Sequence, residues 1–340
     1  MTNRNFEGKI GPLLIAEIGG NHEGNFEYAK KLTELAISTK VDFIKFQLYT
    51  GDTLVSKLVN PQRNEHFKKF ELTKEQHIYL AQMIQDSGIG YMASVWDEQM
   101  MEWIDPYIPI YKIGSGDLTA YPILKAIAQK RKPIIISTGL SNEKEVLEAI
   151  NYIQSIDPKY KDPNFLAVLQ CTSMYPINDS DANLSVIKRF KEITGLTVGY
   201  SDHTIGMQAM LYAYLLDAEI LEFHFTDTRE GKEFRDHKVS LTTEEVLVFK
   251  SEIQRIQTLK GNNIKKPLPI EKDNKHEITF RRAVYPLVDI KKGTVLTKDN
   301  LTSLRPNHGI DAREFDDLLG RKTLVDLKKH QKLNWEFFTK

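Results

Sequence analysis

Eight short apolar runs, each followed by a longer stretch, leave this chain few folds to choose from. The runs are LLIAEIG (13–19), VDFIKFQL (41–48), IGYMASV (89–95), IYKIGS (110–115), PIIIST (133–138), FLAVLQC (165–171), LTVGYS (196–201) and EILEFHF (219–225). Several are apolar throughout rather than at alternate positions. That pattern belongs to strands covered on both faces, as in a parallel sheet. Helical periodicity appears between them, over 25–39, 73–88, 120–130, 143–156 and 207–218. Eight β-α repeats across roughly 260 residues match the length of a (β/α)₈ TIM barrel. The rival is an open doubly wound sheet, whose signature is a GxGxxG turn after the first strand. Here that turn reads EIGGNHEG, which lacks the spacing.

The texture changes after residue 260. The stretch 261–278 is lysine-rich, carries two prolines and has no apolar periodicity. It reads as a linker between a barrel domain over 1–260 and a small domain over 279–340. The small domain shows β-branched runs broken by KKG and NHG turns. A core of this size is marginal alone, so the domain should dock on something.

The whole chain has 340 residues, with 46 basic and 46 acidic side chains. Zero net charge removes the usual electrostatic reason to expect nucleic acid as a partner, although one cleft can still be cationic. The single cysteine, Cys171, cannot form an internal disulfide, which fits a reducing cytoplasm. No apolar stretch is long enough to span a bilayer, and the N-terminal one is too short for a signal peptide.

In a (β/α)₈ barrel the active site sits at the C-terminal ends of the strands. Those positions are unusually polar here. Strand one ends at Glu17, followed by Asn21, His22 and Glu23. Strand two offers Lys45 and Gln47 on one face. Strand three offers Ser94, and strand four Lys112, Ser115 and Asp117. Strand five ends in Ser137 and Thr138. Strand six ends in Thr172, Ser173 and Tyr175, and strand seven in Ser201, Asp202 and His203. Strand eight ends at His224.

A lone lysine in a strand is usually a solvated edge residue, but Lys45 stands between apolar neighbours and so needs a buried partner. Two lysines and a ring of serines suit a ligand with phosphate and carboxylate groups. A lone histidine is usually structural; His203 and His224 on neighbouring strand ends suit a divalent metal with positions left open. Glu17, Asp117 and Asp236 suit proton transfer or contact with sugar hydroxyls.

The segments AEIGGNHEG (16–24), KFQ (45–47), YKIGSGD (111–117), ISTGL (136–140), QCTSMYP (170–176), GYSDHTIG (199–206) and HFT (224–226) together resemble the sialic acid synthase family. The tail DIKKGTVLTKDNLTSLRPNHGI (289–310) resembles the antifreeze-like (SAF, β-clip) domain which that family carries. The resemblance covers nearly the whole chain. It implies condensation of phosphoenolpyruvate with an open-chain N-acylated hexosamine, such as N-acetylmannosamine or a 6-deoxy di-N-acetylhexose, with release of phosphate. It implies that Lys45, Ser94, Lys112, Ser115, Ser137, Ser173 and Ser201 surround phosphoenolpyruvate, and that His203 and His224 hold manganese or magnesium. Glu17, Asp117, Tyr175 and Asp236 would meet the sugar and the reacting aldehyde, and Gln47 would be a further substrate-binding residue. Arg305, in LRPNHG, would reach the N-acyl group from the small domain of a partner subunit, in a domain-swapped homodimer.

Two departures stand out. Asp117 replaces the glutamate of GSGE, and ASVW (93–96) replaces STPF, so Ser94 keeps a hydroxyl and Trp96 is new. The alternatives are another phosphoenolpyruvate-dependent aldose condensation (of the Kdo or DAHP type) and a non-catalytic carbohydrate-binding protein. The first lacks the antifreeze-like tail, and intact lysines, histidines and serines speak against the second.

Overall fold

The computed structural model describes residues 4–340. They divide into two compact units, with the boundary between Gly261 and Asn262. The first unit is a closed barrel of eight parallel strands: β1 (Gly11–Glu17), β2 (Phe43–Leu48), β3 (Gly90–Val95), β4 (Tyr111–Ile113), β5 (Ile134–Ser137), β6 (Leu166–Cys171), β7 (Thr197–Ser201) and β8 (Ile220–His224). Each pairs with the next, and β8 pairs back onto β1 to close the ring. All eight apolar runs in the sequence are therefore barrel strands. A doubly wound sheet has open edges, so closure excludes it.

Every second residue of a strand points inward, and the polarity of those residues switches along the barrel axis. The lower inward positions are apolar: Leu13, Ile15, Met92, Ile110, Ile135, Ala167, Leu169 and Ile220 form one buried cluster. Each such side chain contributes on the order of 1.5–3 kcal/mol by leaving water. The next inward position is polar on seven of the eight strands: Glu17, Lys45, Ser94, Lys112, Ser137, Ser201, Glu222 and, one step on, His224, all buried; on β6 it is Cys171. A second, larger cluster lies between the strands and the surrounding helices, with Leu14, Ala16, Ile44, Phe46, Ile134, Ile136, Val168 and Phe223 facing it. Both strand faces are thus covered, which is why the strands read as apolar throughout.

Local signals start the helices. Thr73 with Gln76, Asn142 with Glu145 and Thr242 with Glu245 form reciprocal capping boxes at the heads of the helices Lys74–Asp86, Glu143–Ile156 and Thr243–Lys260. Below the barrel, the buried carboxylate of Asp42 accepts from the backbone N–H groups of Lys9 and Leu14, both at 2.9 Å. The connection after β2 is long and holds two helices, Gly51–Leu54 and Pro61–Phe70, ahead of Lys74–Asp86. The second ends directly on Gly24. Gly24 has φ +75°, and a Cβ there would strike the Lys69 carbonyl oxygen, so the glycine of NHEG is fixed by backbone geometry.

The second unit pairs β9 (Ala283–Pro286) antiparallel with β10 (Leu301–Leu304). Its own small core gathers Val284, Ile290, Leu296, Leu301, Ile310, Leu318, Leu327, Leu333 and Phe338. The segment read as a linker carries two short helices, Pro269–Asp273 and His276–Thr279. Among the described residues no helix is long and apolar enough to cross a membrane.

Candidate active site

Strand register brings the polar inward residues to one level. Glu17 is the Cα partner of both Lys45 and His224. Ser94 partners Gln47 and Lys112. Ser201 partners Cys171 and Glu222. They form the floor of a cavity of about 1200 Å³ at the C-terminal mouth of the barrel. Of the residues singled out in the sequence, Glu17, Lys45, Gln47, Ser94, Lys112, Ser115, Asp117, Ser137, Ser173, Tyr175, Ser201, His203, His224 and Asp236 line it. Arg305 belongs to the second unit, where its guanidinium lies 5.3 Å from the ring centre of Phe280.

The cavity floor is a buried quartet of charges. Lys45 Nζ lies 2.7 Å from Glu17 Oε2 and 4.0 Å from Glu222 Oε2. Lys112 Nζ lies 3.6 Å from Glu222 Oε1 and donates to Ser137 Oγ at 2.6 Å. Ser201 Oγ donates to the same Glu222 oxygen at 3.0 Å, and Gln47 Nε2 to Glu17 Oε1 at 2.7 Å. Burial pushes the Glu17 carboxyl up, and Glu222 adds to this against the pull of Lys45. Burial acts on Glu222 in the same sense, but the two lysines and Ser201 outweigh it and hold it low. The two carboxyls are thus pushed in opposite directions, Glu17 up and Glu222 down. Burial lowers Lys112, while Lys45 is held up, against burial, by its two carboxylates.

Across the cavity the two histidines converge, with ring centres 5.4 Å apart. Tyr175 covers both, 4.0 Å from the His203 ring and 5.4 Å from the His224 ring. His203 Nδ1 lies 2.7 Å from the Thr172 carbonyl oxygen, which can only accept. Nδ1 therefore carries a proton, and Nε2 is the atom left for a ligand. Burial opposes charge on His203, but the neighbouring Cys171 sulfur, 3.8 Å away, raises it to about 9. Burial and the positive charge of His203 hold His224 well below the ordinary range. The Nδ1 of His224 is buried without a hydrogen-bond partner, and Asp236 Oδ2 stands 3.9 Å from it.

No group of three or more His, Cys, Asp or Glu side chains among the described residues is arranged around one ion position. Two imidazoles with an orphaned buried nitrogen fit an ion held by few protein ligands, its shell completed by substrate and water.

Asp117 and Trp96, the two departures noted in the sequence, face each other. Burial raises the Asp117 carboxyl to about 6, against the pull of the Trp96 indole N–H and of Lys112. Trp96 stacks on Tyr49 at 5.2 Å, and Tyr49 meets Phe67 of the Pro61–Phe70 helix at 5.2 Å. Arg235 lies over the Tyr175 ring at 4.6 Å and 3.3 Å from Asp236.

Other strand-end residues serve the scaffold. Asn21 donates to the Phe225 carbonyl and Ser240, Thr138 donates to the Leu169 carbonyl, and Thr172 to the Asp181 carbonyl. Asp202 accepts from Tyr200 and Thr204. His22, lowered to about 4 by burial, accepts from the Gly24 N–H. Sequence reasoning passed over Glu222, Cys171 and Arg235. The first two were within its reach, because Glu222 is two residues before His224 and Cys171 two after Leu169 on the inward face.

The model of the NeuB family matches residues 32–265, and that of the SAF domain residues 281–339. The chain belongs to the NeuB family. Among NeuB-family proteins it is 34% identical to the N,N'-diacetyllegionaminic acid synthase of Legionella pneumophila, over 95% of this chain and 94% of that one. It is 31% identical to the pseudaminic acid synthase of Campylobacter jejuni, over 96% of each. The solved structure of the N-acetylneuraminic acid synthetase of Leptospira borgpetersenii, in complex with citrate, superposes with a TM-score of 0.71 at 29% identity, covering 78% of this chain and 90% of that one. The sialic acid synthase resemblance read from the motifs is thus the family this NeuB-type barrel and SAF tail belong to.

Proposed function

We propose that the protein condenses phosphoenolpyruvate with an open-chain N-acylated hexosamine to give a nine-carbon acid of the sialic type and inorganic phosphate. The observation that carries this is the buried Lys45–Lys112 pair facing the His203–His224 pair across one cavity. The lysines neutralise the phosphate and carboxylate of phosphoenolpyruvate, and Ser94, Ser115, Ser137, Ser173 and Ser201 give directed donors around it. His203 and His224 would hold a divalent cation, manganese or magnesium. When bound, such a cation supplies Lewis acidity to an aldehyde oxygen.

Carbon 3 of phosphoenolpyruvate forms the new C–C bond with the aldehyde carbon, whose oxygen takes up a proton. Positive character develops at carbon 2, and the Glu17 carboxylate stabilises it electrostatically. Water adds at carbon 2 and gives up a proton that balances the one taken by the aldehyde oxygen; the bond from carbon 2 to the phosphate oxygen breaks, and phosphate leaves with its electron pair and the proton of the new hydroxyl. The adduct collapses to the 2-keto acid. Asp117, Tyr175 and Asp236 orient the sugar, and Arg305 of a partner subunit meets its N-acyl group in an exchanged dimer.

The test is phosphate release from phosphoenolpyruvate, read against a panel of hexosamines with manganese, with products identified by mass. Turnover should require both a hexosamine and the metal. Turnover with arabinose 5-phosphate, and none with N-acetylmannosamine or di-N-acetylated 6-deoxyhexoses, would overturn the proposal.

A further inference from the structure

Glu222 lies in no recognised motif, yet it stands at the centre of the site. It comes from β8 and reaches β7 through Ser201 at 3.0 Å, β4 through Lys112 at 3.6 Å and β2 through Lys45 at 4.0 Å. It is 6% exposed. Neither lysine contact is a hydrogen bond at these distances, and Glu222 Oε2 has no hydrogen-bond partner. What Glu222 gives the lysines is charge.

We propose that Glu222 is a positioning residue, whose carboxylate, set between Lys112 and Lys45, holds both ammonium groups where a phosphoenolpyruvate anion binds. The inference rests on the functional reading above and adds a residue to it. Lys112 needs such a partner. It is 2% exposed, and its only hydrogen bonds go to the Ser137 hydroxyl and the Ile113 carbonyl, which are neutral. The charged groups facing it are Glu222, Lys45, Cys171, Glu17 and, at the rim, Asp117. Burial and Lys45 drive Lys112 toward the neutral amine. Glu222 is the largest opposing influence. Without its proton Lys112 offers no charge to an incoming phosphate.

Two other roles make opposite predictions. A purely structural Glu222 would need only an acceptor for Ser201, which glutamine supplies. A Glu222 that merely occupies the phosphate position would, on neutralisation, let phosphoenolpyruvate bind more tightly. The experiment compares wild type, Glu222→Gln and Glu222→Asp in the full chain. It measures phosphoenolpyruvate binding by calorimetry without metal at pH 7 and pH 9, and thermal unfolding alongside.

Glu222→Gln should bind at least about tenfold more weakly than wild type at pH 9, with a smaller gap at pH 7. Glu222→Asp, which keeps the charge on a shorter arm, should fall between. At saturating phosphoenolpyruvate the KM for hexosamine should not move. Glu222→Gln binding as tightly as wild type, or more tightly, at both pH values would overturn the proposal. If Glu222→Gln does not unfold cooperatively, Glu222→Asp decides: weaker binding at pH 9 with wild-type melting supports the role, and unchanged binding overturns it. Wild type that fails to bind phosphoenolpyruvate at either pH would instead remove the functional reading beneath.

Discussion

At the scale of single residues, the site is governed by what burial does to charge. Asp117 is the clearest case, because burial places its titration at about 6. Below that pH it is protonated and loses an acceptor for a sugar hydroxyl; above it the carboxylate is available. The value of kcat/KM for hexosamine should therefore fall as pH drops through about 6, and Asp117→Asn should flatten that limb. Its activity at pH 8 should be lower by about tenfold or more. A limb that survives in Asp117→Asn would assign it to another group. Lys112→Ala should cut phosphate release by at least about a hundredfold, since the one other lysine of the quartet, Lys45, is already engaged by Glu17 at 2.7 Å. Lys45 and Lys112 were legible in the sequence because a lysine inside an apolar strand demands a partner. Glu222 was within reach too, two residues before His224, but a glutamate in EILEFHF also reads as a solvated strand residue. The barrel places both 222 and 224 on the inward face.

Elements were unevenly legible. The eight strands stood out as short apolar runs, several of them apolar throughout, and an amphipathic stripe marked helices such as Glu143–Ile156. Three barrel helices escaped notice: Glu98–Ile104, Ser185–Thr194 and Thr243–Lys260. The first is short, and the second, with Ile187 and Phe190 on its buried face, was within reach. The third exposes Leu247, Val248 and Leu259, which blurs its apolar stripe. The helix Pro61–Phe70 was invisible for a different reason. Asn64 is its one buried residue, and that side chain is spent on the Gly51 and Val55 carbonyls. Its seat is Gly24. Alanine there should cost roughly 1–2 kcal/mol for the left-handed backbone alone, and more from the clash with Lys69. Thermal unfolding of Gly24→Ala should show a Tm lower by roughly 3–6 °C. Because the helix carries Phe67 and Phe70 into the cavity wall, KM for hexosamine should rise as well.

At the scale of the whole molecule, the two units have separate cores, and the proposed exchange of tail domains makes a quantitative prediction. Lys112→Ala disables the barrel site, and Arg305→Ala disables only the tail's contribution. Mixed and re-equilibrated in equal amounts, two inactive variants should recover about a quarter of wild-type activity, because random heterodimers rebuild one site in four. No recovery would mean that Arg305 serves its own chain. The layering of the barrel interior has a consequence for descent. Apolar positions beneath and charged positions above sit on different steps of the same strands, so the upper layer is free to drift toward new sugars without loosening the lower one. The Lys–Glu quartet is the exception. Losing any one member strands an opposite charge away from water, so a lineage leaving this chemistry should be seen to shed its lysines and glutamates in matched pairs.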